Sequence, residues 1–387
     1  MLSADGVKMR VSVVLPASGT GDRFGTCVPK QFSPLLNQPL LLHTLNAFHR
    51  LEWVGHVVMV VSDDALEELT SQLKEWPKLT LVCGHSTRHR SIQAGIRALA
   101  EDGRPPDAVI IHDVVRPFVE EELIKQVTLD AIRYGAAGVA RPLVSTVIKV
   151  DGEGMLTEAL DRSQYRASEM PQAFTYSVIK EAYDKADATD LDYGTECLLL
   201  ALKHTGTRAR VVPGPDYLWK VTYKKDLYAV EGIMKEQLLC AAVRFSDGGE
   251  DLELLDAIST CCQLRSVTVL RNNDQQAKCN SWVFICKSGP ADMDTGLADV
   301  CNHVTAKDGE TQFVKPCVIC VLRVNCEDTE RHFKNLISNQ SEKHPSSVWY
   351  GIVSRRKVSD AEKIGKMVAS LLWTREETLT GQTFTIH

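Results

Sequence analysis

No uncharged apolar run in this 387-residue sequence approaches the ~20 residues that a membrane-spanning helix needs. The longest, such as Val57–Val61 and Cys317–Leu322, have the length of strands. Positive charge is not in excess either: 44 Lys and Arg stand against 50 Asp and Glu, for a net charge of −6. A chain gripping nucleic acid through its phosphates is more often basic, so neither membrane nor nucleic acid is an expected partner. Cysteine is sparse, with 12 residues at irregular spacing, far below the density of a disulfide scaffold. Nine of the twelve lie from Cys240 onward, which points to two joined domains of different character. The first residues lack the charged start and apolar core of a signal peptide and the Arg- and Ser-rich character of a transit peptide. A cytosolic location is therefore expected.

What is present is a folded composition, 44% apolar and 24% charged, long enough for two domains at about 150 residues each. From Val11 onward, short β-branched runs alternate with amphipathic stretches of 10–15 residues. That alternation predicts an α/β domain with a parallel sheet covered on both faces. Ligands of such sheets bind beyond the carboxyl ends of the strands, so residues just after each strand carry the most information. The pattern breaks after Gly138, where Thr146–Val150, the turn Asp151-Gly152-Glu153-Gly154 and Met155–Leu160 read as a projecting β-hairpin. A helix over 223–239 closes the first domain, which is expected to span 9–244. The polar, glycine-bearing stretch 245–251 reads as the linker, and 252–387 as a second, smaller α/β (Rossmann-like) domain.

The strongest chemical signal follows the first strand: Ala17-Ser18-Gly19-Thr20-Gly21-Asp22-Arg23-Phe24-Gly25, then Pro29-Lys30-Gln31. Glycines here let backbone N–H groups approach a phosphate without obstruction by Cβ. The spacing misses the dinucleotide fingerprint by one residue, and the P-loop ending is absent. Arg23 and Lys30 beside such a loop suit a triphosphate whose charge grows on the leaving pyrophosphate. After the fourth strand comes His112-Asp113-Val114-Val115-Arg116-Pro117. Asp113 is placed to hold Mg²⁺ and Arg116 to clamp a second anion; the alternative is that Asp113 caps a helix and Arg116 pairs with it. Gly84 to Ser91, with Arg88 and Arg90, closes the third strand and suits either an anion site or an ordinary helix start. His85 and His89, four apart, have no ligand partners at matching spacing and are expected on the surface. Asp161-Arg162, Met170-Pro171-Gln172 and Trp219-Lys220-Val221-Thr222 complete the set, the lysine lying in what reads as an apolar strand.

In this order, the glycine loop with Arg23 and Lys30, Gly84 to Ser91, His112-Asp113-x-x-Arg116-Pro117, Asp161-Arg162, Pro171-Gln172 and Lys220-Val221-Thr222 resemble the IspD/TarI cytidylyltransferases over about residues 10–235. The resemblance implies a Rossmann-like nucleotidyltransferase that joins CTP to a polyol phosphate and releases pyrophosphate. It implies that Arg23, Lys30 and Lys220 stabilise the reacting phosphates and that Asp113 holds Mg²⁺, with Asp216 a weaker second contact. Backbone at Ala17, Ser18, Gly19 and Gly84, with the Ser91 side chain, would select cytosine. Arg116, Arg162 and Thr189 would hold the polyol phosphate, and the 146–160 hairpin would build a homodimer.

With a second domain appended, the layout resembles the animal branch acting on D-ribitol 5-phosphate, which implies CDP-ribitol for protein O-mannosyl glycans such as that of α-dystroglycan. Methylerythritol phosphate as the polyol, and a non-catalytic nucleotide-fold module, are the alternatives. Ser18, Val114-Val115 and Trp219 depart from the bacterial pattern without removing a charged group. In the second domain no glycine cluster follows any strand, so a dinucleotide site is not expected. Cys317 and Cys320, three apart on a strand, point to opposite faces and are expected to be packing residues. A structural or dimer-supporting role is the expectation for this domain.

Overall fold

A computed structural model describes residues 2–4, 7–21, 24–25, 28–36, 38–101, 103–246, 251–270, 279–287, 290–305, 315–323, 326–355 and 360–386. The chain divides into two compact units, Met1–Leu227 and Tyr228–His387.

In the first unit, Val11–Pro16 (β1) is the central strand, and Val11, Val13, Val14 and Leu15 are almost completely buried. A strand covered on both faces has no use for polar alternation. Leu40–His49 (α1) follows a proline that fixes its entry and buries Leu41, Leu45 and Phe48 along one side. Val54–Val61 (β2), Asp63–Gln72 (α2), Leu79–Cys83 (β3), Arg88–Ala98 (α3), Ala108–Ile111 (β4) and Glu121–Tyr134 (α4) continue the alternation. Then come Ala136–Pro142 (β5), the hairpin Ile148–Val150 (β6) with Leu156–Ala159 (β7), and Arg166–Thr175 (β8). Helices Tyr176–Lys185 (α5), Ala188–Tyr193 (α6) and Cys197–Thr205 (α7) lead to Arg210–Pro213 (β9).

Seven strands form one sheet in the order β9-β5-β8-β4-β1-β2-β3. The expected parallel sheet is corrected to a mixed one, because β8 runs antiparallel to both β4 and β5. The hairpin excursion reverses the chain between β5 and β8, so the returning strand enters between its neighbours in the opposite sense. Its register against β5 is irregular between Ser168 and Gln172, where Pro171 has no N–H to give the ladder. The hairpin itself forms, with both strands exposed. The Asp151 carboxylate accepts from the amides of Glu153 at 3.0 Å and Met155 at 2.9 Å and so shapes its turn.

The boundary lies earlier than the sequence suggests. It falls inside helix Lys224–Leu238 (α8), and Cys240–Phe245 (β10) is a strand of the second sheet, not the end of the first domain. Cys-Ala-Ala is a weak strand former, which hides it in the sequence. Residues 247–250 of the expected linker lie outside the described residues.

The second unit adds Leu252–Gln263 (α9), Thr268–Leu270 (β11), Ser281–Cys286 (β12), Pro290–Thr305 (α10) and Cys317–Arg323 (β13). Glu327–Lys343 (α11), Val348–Ser354 (β14), Asp360–Thr374 (α12) and Thr383–Ile386 (β15) complete it. Its six strands are all parallel, ordered β11-β10-β12-β13-β14-β15. Cys317 and Cys320 are buried, and burial raises both thiols; Cys320 packs with Trp282, Phe333 and Trp349.

Candidate active site

The carboxyl end of β1 runs straight into the glycine loop. The Ala17 amide donates to the Val60 carbonyl at 2.7 Å, which keeps the chain in line with β2 for one more residue. Gln31, buried in the single turn Lys30–Phe32, then pins the loop. Its Nε2 donates to the carbonyls of Ala17 at 2.8 Å and Gly19 at 3.0 Å. Gly21 has φ of 78°, a left-handed conformation that disfavours any Cβ. A Cβ there would also stand 3.3 Å from the Lys30 backbone nitrogen. The loop is thus a preformed concave surface.

Opposite the loop, residues 85–88 open helix α3, whose N-cap Thr87 accepts from the Arg90 amide. Between the two walls lies a cavity of about 520 Å³, floored by Asp113, Val114 and Val115 and edged by Lys30, Lys220 and Thr222. Its size is that of a small-ligand pocket. Its charged lining is Lys30, Arg88, Lys220 and Asp113, three cations against one carboxylate.

Asp113 pairs with two of those cations, Arg88 and Lys220. Its Oδ1 accepts from Arg88 Nε at 3.0 Å and lies 2.9 Å from Arg88 Nη2, while Oδ2 lies 3.2 Å from Lys220 Nζ and 3.4 Å from Arg116 Nε. Burial by itself pushes this carboxyl upward, but the charges of Arg88, Lys220 and Arg116 outweigh that and hold it well below the usual range. Asp113 is therefore an anion at any physiological pH. Beside it His112 is fully buried, which lowers its imidazole to about 4. Neutral at neutral pH, it holds the Arg116 carbonyl at 2.9 Å through Nε2.

The residues singled out in the sequence fall into three groups. Ala17, Ser18, Gly19, Lys30, Asp113 and Lys220 line one cavity, and Lys30 Nζ donates to the Val221 carbonyl at 2.9 Å. Gly84 and Ser91 sit one layer behind. A Cβ on Gly84 would stand 2.5 Å from Ser18 Cβ, and the buried Ser91 hydroxyl meets Ser18 Oγ at 2.8 Å and accepts from the His85 amide at 3.0 Å. They support the wall at Ser18 without lining the cavity. Arg116, Arg162, Thr189 and Asp216 are outside its lining.

Arg116 is not a free clamp, as its buried guanidinium is bound to Glu169 and donates to the Leu218 carbonyl at 2.6 Å. Arg162 lies on the exposed hairpin exit and donates to the Val144 carbonyl at 2.9 Å. Thr189 is exposed on α6, and Asp216 is exposed in the turn after β9. Arg23 lies outside the described residues. Lys220 sits in an irregular segment, not in a strand. His89 is buried, with Nδ1 2.8 Å from Tyr183 Oη, and is a core residue where a surface one was expected.

Sequence reasoning gave no fixed role to Arg88 and missed Gln31, Glu169 and Arg141. Gln31 adjoins Lys30 and was readable as part of the same motif. Glu169 had no local signal, since its importance comes from two arginines distant in sequence.

Asp113 suits a magnesium ion only in one way. Among the described residues no group of three or more His, Cys, Asp or Glu side chains is arranged around a common point to hold a metal. A single ionised carboxylate on the floor of a cationic cavity fits an ion carried chiefly by nucleotide phosphate oxygens, as Mg²⁺ commonly is. Asp216 lies outside the cavity lining.

Residues 11–236 match the family model of 2-C-methyl-D-erythritol 4-phosphate cytidylyltransferase, IspD. The D-ribitol-5-phosphate cytidylyltransferase of Xenopus tropicalis is 47% identical over 237 residues, 59% of this chain and 58% of that protein. The protein of the same name from Rattus norvegicus is 42% identical over 316 residues, 78% of this chain and 68% of that one. The chain therefore spans between about half and two thirds of the length of these relatives. The crystal structure of 4-diphosphocytidyl-2C-methyl-D-erythritol synthase from Anaerococcus prevotii superposes with a TM-score of 0.51 at 24% identity. It covers 59% of this chain and all of that one, and shows the fold. The family match takes in the glycine loop, Asp113 and Lys220 together, and the chain belongs to the IspD cytidylyltransferase family.

Proposed function

We propose that this chain joins CTP and D-ribitol 5-phosphate to give CDP-ribitol and pyrophosphate. The observation that carries the chemistry is the convergence of Lys30, Arg88 and Lys220 on one cavity between a preformed glycine loop and Asp113. The two relatives named D-ribitol-5-phosphate cytidylyltransferase support the choice of polyol.

In this reading the triphosphate lies along the loop at 17–21, with the base toward the wall built by Ser18, Gly84 and Ser91. A phosphate oxygen of the polyol attacks the α-phosphorus of CTP. A new P–O bond forms, the bond to the β-phosphate breaks, and pyrophosphate leaves with the electron pair. The attacking oxygen is already anionic, so no general base is needed, and rate comes from positioning and electrostatic stabilisation. Lys30 and Arg23 meet the charge growing toward the leaving group, and Lys220 meets the α-phosphate from the opposite rim. Asp113 would hold Mg²⁺, which supplies charge neutralisation of the phosphate oxygens. Arg162 and Thr189, outside this chain's cavity lining, are assigned to the polyol phosphate through dimerisation. The exposed hairpin bears Ile148, Val150, Met155 and Leu156, each more than half exposed, and we assign it to a homodimer.

A reducing compartment, the cytosol, suits this reading, since no disulfide joins any of the described cysteines. Among the described residues no helix is long and apolar enough to cross a membrane. The product would serve protein O-mannosyl glycan synthesis.

The test is pyrophosphate release with CTP, Mg²⁺ and a panel of polyol phosphates. Preference for D-ribitol 5-phosphate is expected. Preference for methylerythritol phosphate would move the chain to isoprenoid chemistry, and no release with any member would contradict the assignment.

A further inference from the structure

Lys220 has no regular element to hold it. It sits in the irregular stretch between β9 and α8, yet its Nζ stands 3.2 Å from Asp113. A side chain on a loop keeps such a position only if the loop backbone is fixed from elsewhere. The Gly214 amide on the Ala140 carbonyl, Lys30 Nζ on the Val221 carbonyl and the Thr222 amide on Asp226 hold its two ends, and three further contacts hold its middle. Arg116 Nη1 donates to the Leu218 carbonyl at 2.6 Å, two residues before Lys220. Arg141 Nη1 donates to the Asp216 carbonyl at 2.6 Å. The Val221 amide donates to the Val115 carbonyl at 3.1 Å.

Both arginines are governed by one group, the buried carboxylate of Glu169. One of its oxygens binds Arg116. The other accepts from Arg141 Nε at 3.0 Å and from its Nη2. Glu169 points inward because the β8 register slips between Ser168 and Gln172, and such irregularities re-aim side chains. A regular ladder would space these residues differently. Bound to Glu169 and to the Leu218 carbonyl, Arg116 is not available as a substrate clamp.

We propose that Glu169 is a positioning residue for Lys220. Its carboxylate orients Arg116 and Arg141, and these two fix the 214–222 loop by its carbonyls. The proposal rests on reading Lys220 as the group that meets the α-phosphate. Glu169 itself does not line the cavity and acts only through the loop. The cost of its loss is a lost charge pairing as well as geometry, because Arg141 would lose the carboxylate it is paired with and the buried Arg116 would be left with Asp113, 3.4 Å from its Nε.

The test compares Glu169→Gln with Arg141→Ala, the second being a partly exposed residue whose change spares the buried Arg116. Hydrogen–deuterium exchange by mass spectrometry reads the loop, and pyrophosphate release with CTP and a polyol phosphate reads turnover. Both variants are expected to exchange faster at 214–222, with β1 and β4 unchanged. They are expected to lose about 10–100-fold in kcat, the scale of a displaced catalytic group, with the KM for CTP changed much less. In a Lys220→Ala background the Glu169→Gln change is expected to cost less than about twofold, as residues acting in one unit are non-additive.

Unchanged exchange at 214–222 in both variants overturns the proposal. So does a kcat loss that persists in full without Lys220, since Glu169 would then act elsewhere. If the unmodified protein releases no pyrophosphate, it is the cytidylyltransferase reading that fails, and the exchange result still decides whether Glu169 holds the loop.

Discussion

Single residues in this protein are readable in proportion to how local their partners are. Lys30 and Gln31 stand next to each other, and both serve the glycine loop, one at its edge and one beneath it. Asp113 was legible from its place after a buried strand. The Arg116 role was not, because Glu169 lies 53 positions away and nothing near either residue announces the pair. His43 and His89 make the same point about burial. His43 is buried on α1 with Nε2 2.7 Å from the Leu35 carbonyl. Burial lowers both imidazoles; for His43 the hydrogen bonds to Leu35 and Gln38 oppose the shift in part, and for His89 the charge of Arg88 adds to it. Their folded values lie below the unfolded one near 6.5. The stability each contributes is therefore complete above about pH 6.5 and is lost as pH falls below it, when the unfolded chain takes up protons that the folded one excludes. The slope is at most about 1.4 kcal/mol per pH unit for each group. Urea midpoints measured from pH 7.5 to 5 should fall accordingly, and His43→Asn should flatten the curve by roughly one group's share. A flat wild-type profile would contradict the burial argument.

At the scale of elements, the strands that were legible are the β-branched ones. The run Val57–Val61, wholly apolar and buried, could be little else. Strand β5 escaped because Ala136-Ala137-Gly138-Val139-Ala140 has little strand propensity of its own. It is a strand because β8 and β9 flank it. Strand β8 escaped because it carries Pro171, and β10 because Cys-Ala-Ala reads as helix. The hairpin was legible from its turn chemistry, and its purpose is testable at this scale. Its two strands pair only with each other and leave Ile148, Val150, Met155 and Leu156 exposed. Two-stranded ribbons are marginal alone. Replacing residues 146–160 by a short Gly-Ser connection should give a protein of monomer mass by multi-angle light scattering, with the rest of the first unit folded. A dimer that survives the replacement would place the interface elsewhere.

For the whole molecule, a net charge of −6 conceals a cavity whose charged lining is three cations and one carboxylate. The two units also carry unequal loads. Every residue assigned to the reaction lies in Met1–Leu227, whereas the second unit is a parallel sheet whose cysteines are largely packing atoms. Helix α8 reads as an end in the sequence, whereas it leads into β10, a strand of the second sheet. In the proposed reaction, Lys30 and its neighbours in the first unit stabilise charge on the reacting phosphates. The most direct measurement is mass-spectrometric detection of CDP-ribitol from CTP and D-ribitol 5-phosphate, by the intact chain and by Lys30→Ala. Steady product from the intact chain and a loss of turnover on the order of 10²-fold or more in Lys30→Ala, with an unchanged melting temperature, is the predicted result. Equal turnover by the two proteins would contradict it.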